Sequence, residues 1–234
     1  MSNFKGFPKQ GIDFYAQLAN NNNKGWFDRH KSEFEEYIIN PARDFVYEMG
    51  SLLKKLSPHI NADPRINGSI FRPYRDTRFS RDKTPYKTHL GIFFWEGTGP
   101  KMECSGYYFH LEPPTIFLGA GMHCFSKSKL ELYRDSVVDP ELGPGLVKAV
   151  ERVSKNKGYS VGGLHYKKTP RGYTAQGKSL ELLLHNGLFA MTEFEIPEQV
   201  HSAELTDYCF DKFKKMAPIH EWLTEMNSRA AALG

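Results

Sequence analysis

Apolar residues in the first quarter of the chain recur at helical spacing. In GIDFYAQLANNN, Ile12, Tyr15, Leu18 and Ala19 share one face before the Asn20–Asn23 run ends the pattern. GWFDRHKSEFEEYIIN restarts the stripe with Phe27, Phe34, Tyr37 and Ile38. Pro41 suits the first turn of a further helix carrying Phe45, Met49, Leu52, Leu53 and Leu56, which ends before Pro58. The spacing predicts a helical region over 9–57.

The period then shortens. THLGIFFW, SGYYFHLE and TIFLGAGMH are aromatic and β-branched runs separated by turns at Gly97–Pro100 and Pro113–Pro114, so 68–124 reads mainly as antiparallel strands. Residues 126–197 are mixed. SKSKLELYRDSVVD predicts a helix with Ser126 as N-cap and a stripe of Leu130, Tyr133 and Val137. PELGPGLVKAVERVSKN predicts a second helix, weakened by Gly143 and Gly145; then come a brief strand, a Lys/Pro/Gly loop, a short helix ended by Gly187, and the late strand LFAMTEFEI. AELTDYCFDKFKKMAPIHEWLTEMN closes the chain with helices over 201–232, broken at Pro218. No repeat, linker or low-complexity stretch marks a boundary. Residues 1–234 are expected to form a single α+β domain, an antiparallel meander sheet with helices from both chain ends packed on it.

Composition changes little in this picture until charge is mapped. At 234 residues, 40% hydrophobic and 14% aromatic, the chain is long enough to bury a substantial core. The formal net charge is +4 from 31 Lys and Arg against 27 Asp and Glu. Arg65 to His89 holds seven of those cations and two of those acids, leaving 24 cations and 25 acids elsewhere. The positive excess is therefore local, which favours one anion site over a surface coated for nucleic acid or membrane. Cys104, Cys124 and Cys209 are scattered without metal-ligand spacing and read as reduced thiols. No signal-peptide pattern and no 18-residue apolar window is visible, so the cytoplasm is the expected compartment.

SIFRPYRDTRFSRDKTPYKTH, residues 69–89, carries that excess. Arg72, Arg75, Arg78 and Arg81 recur every three residues, which suits neither a strand nor a solvated helix face, and Thr84–Pro85 argues for an irregular loop. Such a loop can aim several donors at one point: Arg offers a planar fork to two oxygens of a phosphate, sulfate or carboxylate, and Lys a point charge. The candidate ligand-binding residues are Arg72, Arg75, Asp76, Arg78, Asp82, Lys83, Tyr86 and Lys87. In this reading the cations bind the anion, Tyr86 donates a hydroxyl bond, and Asp76 or Asp82 orients the arginines. The alternative is a structural ion-pair network built on the same two acids and on distant ones such as Glu112.

Together with FKGFP, NNNKGWF, GYYFHLEP and FLGAGM, the basic segment resembles the family catalogued as domain of unknown function 2461, over nearly the whole chain. The RDTRFSxDKxPYK element is its most specific part. The motif positions here are Arg72, Arg75, Asp76, Arg78, Phe79, Asp82, Lys83, Pro85, Tyr86 and Lys87. The resemblance implies a single soluble domain and brings no activity. The chain departs from the family pattern after PRGY, where Gln176, Gly177 and Lys178 replace an acidic residue and a short Asp-His-Pro element, and near Phe125, where a proline is lost.

Elsewhere, His110 and Glu112 alternate along one strand and share a face with Tyr108, making them the candidate catalytic acid/base pair. A metal needs a third ligand, none is identifiable, and no metal is assigned. His89 stands at a strand start; His123 adjoins Cys124, an arrangement unsuited to a Cys/His nucleophile pair. Trp26, Phe27 and Lys31 can floor a pocket or belong to the core. Gly119 and Gly121 admit a ligand or, more commonly, a packed helix. LHYKKTPRGY forms a second basic loop through Lys167, Lys168 and Arg171. Phosphate-loop and dinucleotide fingerprints are absent, and the sequence assigns no cofactor. The expected partner is a small anionic ligand. Non-enzymatic nucleic-acid or protein binding is the rival, the latter favoured by exposed Tyr208, Phe213 or Trp222. The sequence assigns no reaction.

Overall fold

The computed structural model describes residues 4–233, with side chains through Arg229. Helices α1 (Lys9–Asn20), α2 (Lys24–Arg29) and α3 (Lys31–Phe34) bury Phe14, Tyr15, Leu18, Trp26, Phe27 and Phe34. The stripe predicted from Phe27 onward is interrupted at His30, whose ring stacks on Trp26 at 4.0 Å. α3 widens through a π-type turn over Glu35–Ile39 into α4 (Asn40–Leu53), with Pro41 in its first turn as the pattern requires. Leu56 falls in the turn beyond α4.

Strands β1 (Ile60–Asn61), β2 (Leu90–Glu96), β3 (Ser105–Glu112), β4 (Thr115–Met122), β5 (Tyr159–Leu164) and β6 (His185–Glu195) form one antiparallel sheet in the order β1-β2-β3-β4-β6-β5. The fold is α+β. The first four strands make the expected meander, but β6 lies beside β4 and β5 takes the edge. Burial accounts for the exchange: β6 alternates buried positions along most of its length, whereas β5 buries none of its residues fully and suits an edge. Gly121 serves this strand pairing rather than a ligand or a helix. It has φ +131°, and a Cβ there would stand 2.3 Å from the Leu188 carbonyl oxygen on β6.

The helices between and after these strands are α5 (Lys127–Val138), α6 (Leu142–Ser154), α7 (Gly177–Leu182) and α8 (Glu204–Leu233). Ser126 holds the N-cap position of α5, but its hydroxyl meets Ser128 and makes no cap bond. Pro218 does not break the closing helix; α8 runs through it. An interior proline costs a helix about 3 kcal/mol. Met216, Ile219, Leu223 and Met226 flank it fully buried, each contributing about 1.5–3 kcal/mol, which offsets that cost. Phe213 and Trp222 are core residues and Tyr208 rests against Phe194, so the expected aromatic partner face is not found on them.

The chain divides into two compact units: Met1–Phe94 with Tyr108–Leu118 and Glu193–Asp211, and Trp95–Tyr107 with Gly119–Thr192 and Lys212–Gly234. The first is cored by Phe4, Phe7, Phe45 and Phe109, with Phe45 and Phe109 centroids 4.7 Å apart. The second is cored by Tyr107, Tyr133, Phe213 and Trp222. No disulfide joins the three cysteines, and of them only Cys124 is exposed. Among the described residues no helix is long and apolar enough to cross a membrane.

Candidate functional site

Strand alternation divides β3 between two faces. Tyr107, Phe109 and Leu111 are fully buried on one face, where Phe109 meets Phe45 of α4. Tyr108, His110 and Glu112 emerge on the other, part-buried. There they form a chain: the Tyr108 hydroxyl is 2.9 Å from His110 Nδ1, and His110 Nε2 is 3.2 Å from Glu112 Oε2. The Thr88 hydroxyl donates to Glu112 Oε1 at 2.9 Å. Gly91 of β2 leaves room for the phenol, since a Cβ at 91 would stand 2.8 Å from the Tyr108 oxygen.

His89 completes the group, and here the sequence reading is corrected: a third convergent donor exists. Its ring lies 4.2 Å from that of His110, and its Nδ1 is 4.0 Å from Glu112 Oε1. One donor atom from each of His89, His110 and Glu112 falls within 4.8 Å of the others. Spacing on β3 revealed the His110–Glu112 pair. His89 was invisible because it enters from the bend that leads into the neighbouring strand β2.

Burial and neighbouring charges hold His89 neutral and Glu112 ionised at neutral pH. Burial first, then His110, Lys87 and Arg75, push the His89 imidazole down to about 4, against a smaller pull from Glu112. Burial favours the acid form of Glu112, but hydrogen bonds from His110 and Thr88, with His89 nearby, leave its carboxyl below the usual range. Burial, aided by Glu112, raises the Tyr108 phenol to about 12.

The basic segment is an excursion with a paired base. Phe71 N–H bonds to the Gly91 carbonyl, Arg75 N–H to Pro85 and Lys87 N–H to Pro73, so residues 73–75 and 85–87 close around a loop of 76–84. Within it Arg75 Nη1 reaches Asp82 Oδ2 at 2.5 Å and also contacts the Thr84 hydroxyl. Arg78 makes a forked contact with Asp76 at 3.0 and 2.7 Å, and Lys83 donates to the Thr77 carbonyl. The backbone N–H of Thr84, then the Arg75 guanidinium and the Thr84 hydroxyl, hold the Asp82 carboxyl at about 2. The guanidinium and backbone N–H of Arg78 do the same for Asp76. Among the described residues Arg72 and Arg81 make no hydrogen bond or ion pair, and both are exposed. The Lys87 ammonium lies over the Phe71 ring, 5.3 Å from its centroid.

Tyr86 is 3% exposed, and its ring stacks on Phe27 at 4.0 Å and anchors the base of the loop. Phe27 and Trp26 accordingly belong to the core. Asn22, which sequence reasoning missed, clamps the same residue: its amide donates to the Tyr86 carbonyl at 2.9 Å and accepts from the Tyr86 N–H at 3.0 Å. Glu112 meets Thr88 and two histidines, and among the described residues it pairs with no arginine. In the second unit, Gln176–Lys178 open α7 and Lys178 pairs with Glu151, while Lys167, Lys168 and Arg171 lie on an exposed loop.

A family model described as conserved hypothetical protein (DUF2461) matches residues 10–222, nearly the whole chain. No curated protein and no solved structure matches it.

Proposed function

The chain belongs to the conserved hypothetical protein family DUF2461, a description that names no activity, and on that premise we propose that it binds a small phosphate-like or carboxylate anion at the foot of the basic loop. The supporting observation is the hydrogen-bonded His110–Glu112 pair, half open on its sheet face, beside a histidine that feels the charges of Lys87 and Arg75. Lys87 and Arg75 hold the ligand's charge, Arg72 and Arg81 draw it in, and Asp76, Asp82 and Lys83 fix the loop. His110 and Glu112 are the reactive pair, an imidazole and a carboxylate able to exchange one proton between them.

The test is a thermal-shift panel of inorganic phosphate, sulfate, sugar phosphates and small carboxylates, run at low and high salt. A ligand at a hundred times its Kd is expected to raise the melting temperature by about 5–10 °C. Arg75→Ala and Lys87→Ala should abolish the shift. His110→Ala should keep it and slow any turnover found in the panel by about 10²–10⁴. Steep loss with salt, with single-stranded or duplex nucleic acid binding better than every small anion, assigns the loop to nucleic acid instead. The internal pairing of Arg75 with Asp82 and Arg78 with Asp76 favours a second reading, an ion-pair loop that takes no ligand. That reading wins if no anion stabilises the wild type.

A further inference from the structure

We propose that His89, His110 and Glu112 bind one divalent first-row transition ion. Two imidazoles and one carboxylate are the borderline donor set preferred by such ions, whereas calcium and magnesium want oxygen alone. The distances fit. Ligand atoms on a tetrahedral ion at about 2.0–2.1 Å stand roughly 3.3 Å apart. His110 Nε2 and Glu112 Oε2 are already 3.2 Å apart, His89 Nδ1 is 4.0 Å from the other carboxylate oxygen, Oε1, and one donor atom of each residue lies within 4.8 Å of the others.

The surroundings are those of a supported site. The Tyr108 hydroxyl engages the far nitrogen of His110, and the Thr88 hydroxyl engages Glu112 Oε1. Groups of this kind orient metal ligands and fix which imidazole nitrogen carries the proton. Without the ion, Nε2–H of His110 donates to Glu112 and the phenol donates to Nδ1. With the ion on Nε2, the proton sits on Nδ1 and donates to the phenol oxygen, so Tyr108 holds the imidazole in either state. Three protein ligands leave a coordination position for water or a ligand atom. The solvent side supplies it, since the Glu112 side chain is 47% exposed and that of His89 26%.

The inference rests on the anion reading only for what meets that open position; the three ligands stand without it. In the loaded protein His110 is a ligand and no longer exchanges protons, so the two uses of the cluster exclude each other.

Tag-free protein stripped with a chelator and titrated with ZnCl₂ by calorimetry should take up one equivalent per chain. His89→Ala, His110→Ala and Glu112→Gln should each weaken binding at least tenfold, and His123→Ala, on an exposed residue elsewhere, should not. No saturable uptake, or equal affinity in all four variants, overturns the proposal. Because a variant can fail to fold, the wild type loaded with CoCl₂ gives an independent reading: visible bands of a four- or five-coordinate ion are expected, and an aquo-like octahedral spectrum overturns the site. Titrating inorganic phosphate into stripped and Zn-loaded protein separates the two readings. Phosphate binding with no zinc uptake leaves the anion site and removes the metal, and zinc uptake with no phosphate binding does the reverse.

Discussion

Among the described residues, two chains of hydroxyl, imidazole and carboxylate differ in burial. In the second unit Ser105 Oγ is 2.8 Å from His220 Nδ1, and His220 Nε2 is 2.8 Å from Glu96 Oε2. Ser105 and His220 are each 1% exposed, the Glu96 side chain 11%, and the Tyr107 ring packs 4.6 Å from the imidazole. In the first unit the Tyr108–His110–Glu112 chain is longer at 2.9 and 3.2 Å, with side chains 19% and 47% exposed at the histidine and glutamate. A serine, a histidine and a carboxylate in line resemble a nucleophile's apparatus, yet the buried set has no room for a substrate. It ties α8 to β2 and β3 within its unit. The open set meets solvent. Both sets join a hydroxyl, an imidazole and a carboxylate, an alcohol in one and a phenol in the other, but access separates them most.

The largest expected effect tests the buried set. His220→Ala withdraws the imidazole from Ser105 and Glu96 in a water-excluded place and should cost about 3–5 kcal/mol in urea unfolding. A loss under about 1 kcal/mol would erase the distinction. A smaller effect concerns acid. Below pH 6.5 the unfolded chain protonates His89, while the folded chain resists until about 4, with His110, Glu112, Lys87 and Arg75 as the charged or titratable neighbours. This contribution to stability is complete above pH 6.5 and falls away as pH drops toward 4. Melting temperatures from pH 7.5 to 4.5 should therefore decline more gently in His89→Asn than in the wild type, and parallel curves would refute the assignment. His110→Ala should change stability by no more than about 1 kcal/mol, as suits a part-exposed group whose partners can turn to water. A cost matching that of His220→Ala would make both sets structural. Least of all, Arg78→Ala at the exposed loop tip should move the melting temperature by less than about 2 °C, and a larger drop would show that the Arg78–Asp76 pair holds the fold.

Legibility followed sequence distance. The helices of the first quarter and the alternation that puts His110 and Glu112 on one face were readable because period 3.6 and period 2 are local. Pro218 misled because a local breaker was outweighed by apolar burial on both sides of it. β5 and β6 exchanged places because edge and interior depend on how much a strand can bury, which only the assembled sheet decides. The two acids of the basic loop and their arginines were near enough in sequence to pair on paper, and they do pair. His89 joining His110, and Ser105 joining His220 across 115 positions, were not readable, since nothing local encodes contact between strands or between strand and helix.

The Asn22 clamp on Tyr86 bears on how such a chain can diverge. A side-chain amide there imitates the two bonds of a β-bridge, so the seat of the loop is written 64 positions upstream of the residue it receives. NNNKGWF and the basic segment are then one heritable unit in two pieces. Across relatives, a change at one piece should be matched by a change at the other, and a basic loop transplanted into another scaffold without its asparagine should arrive unseated.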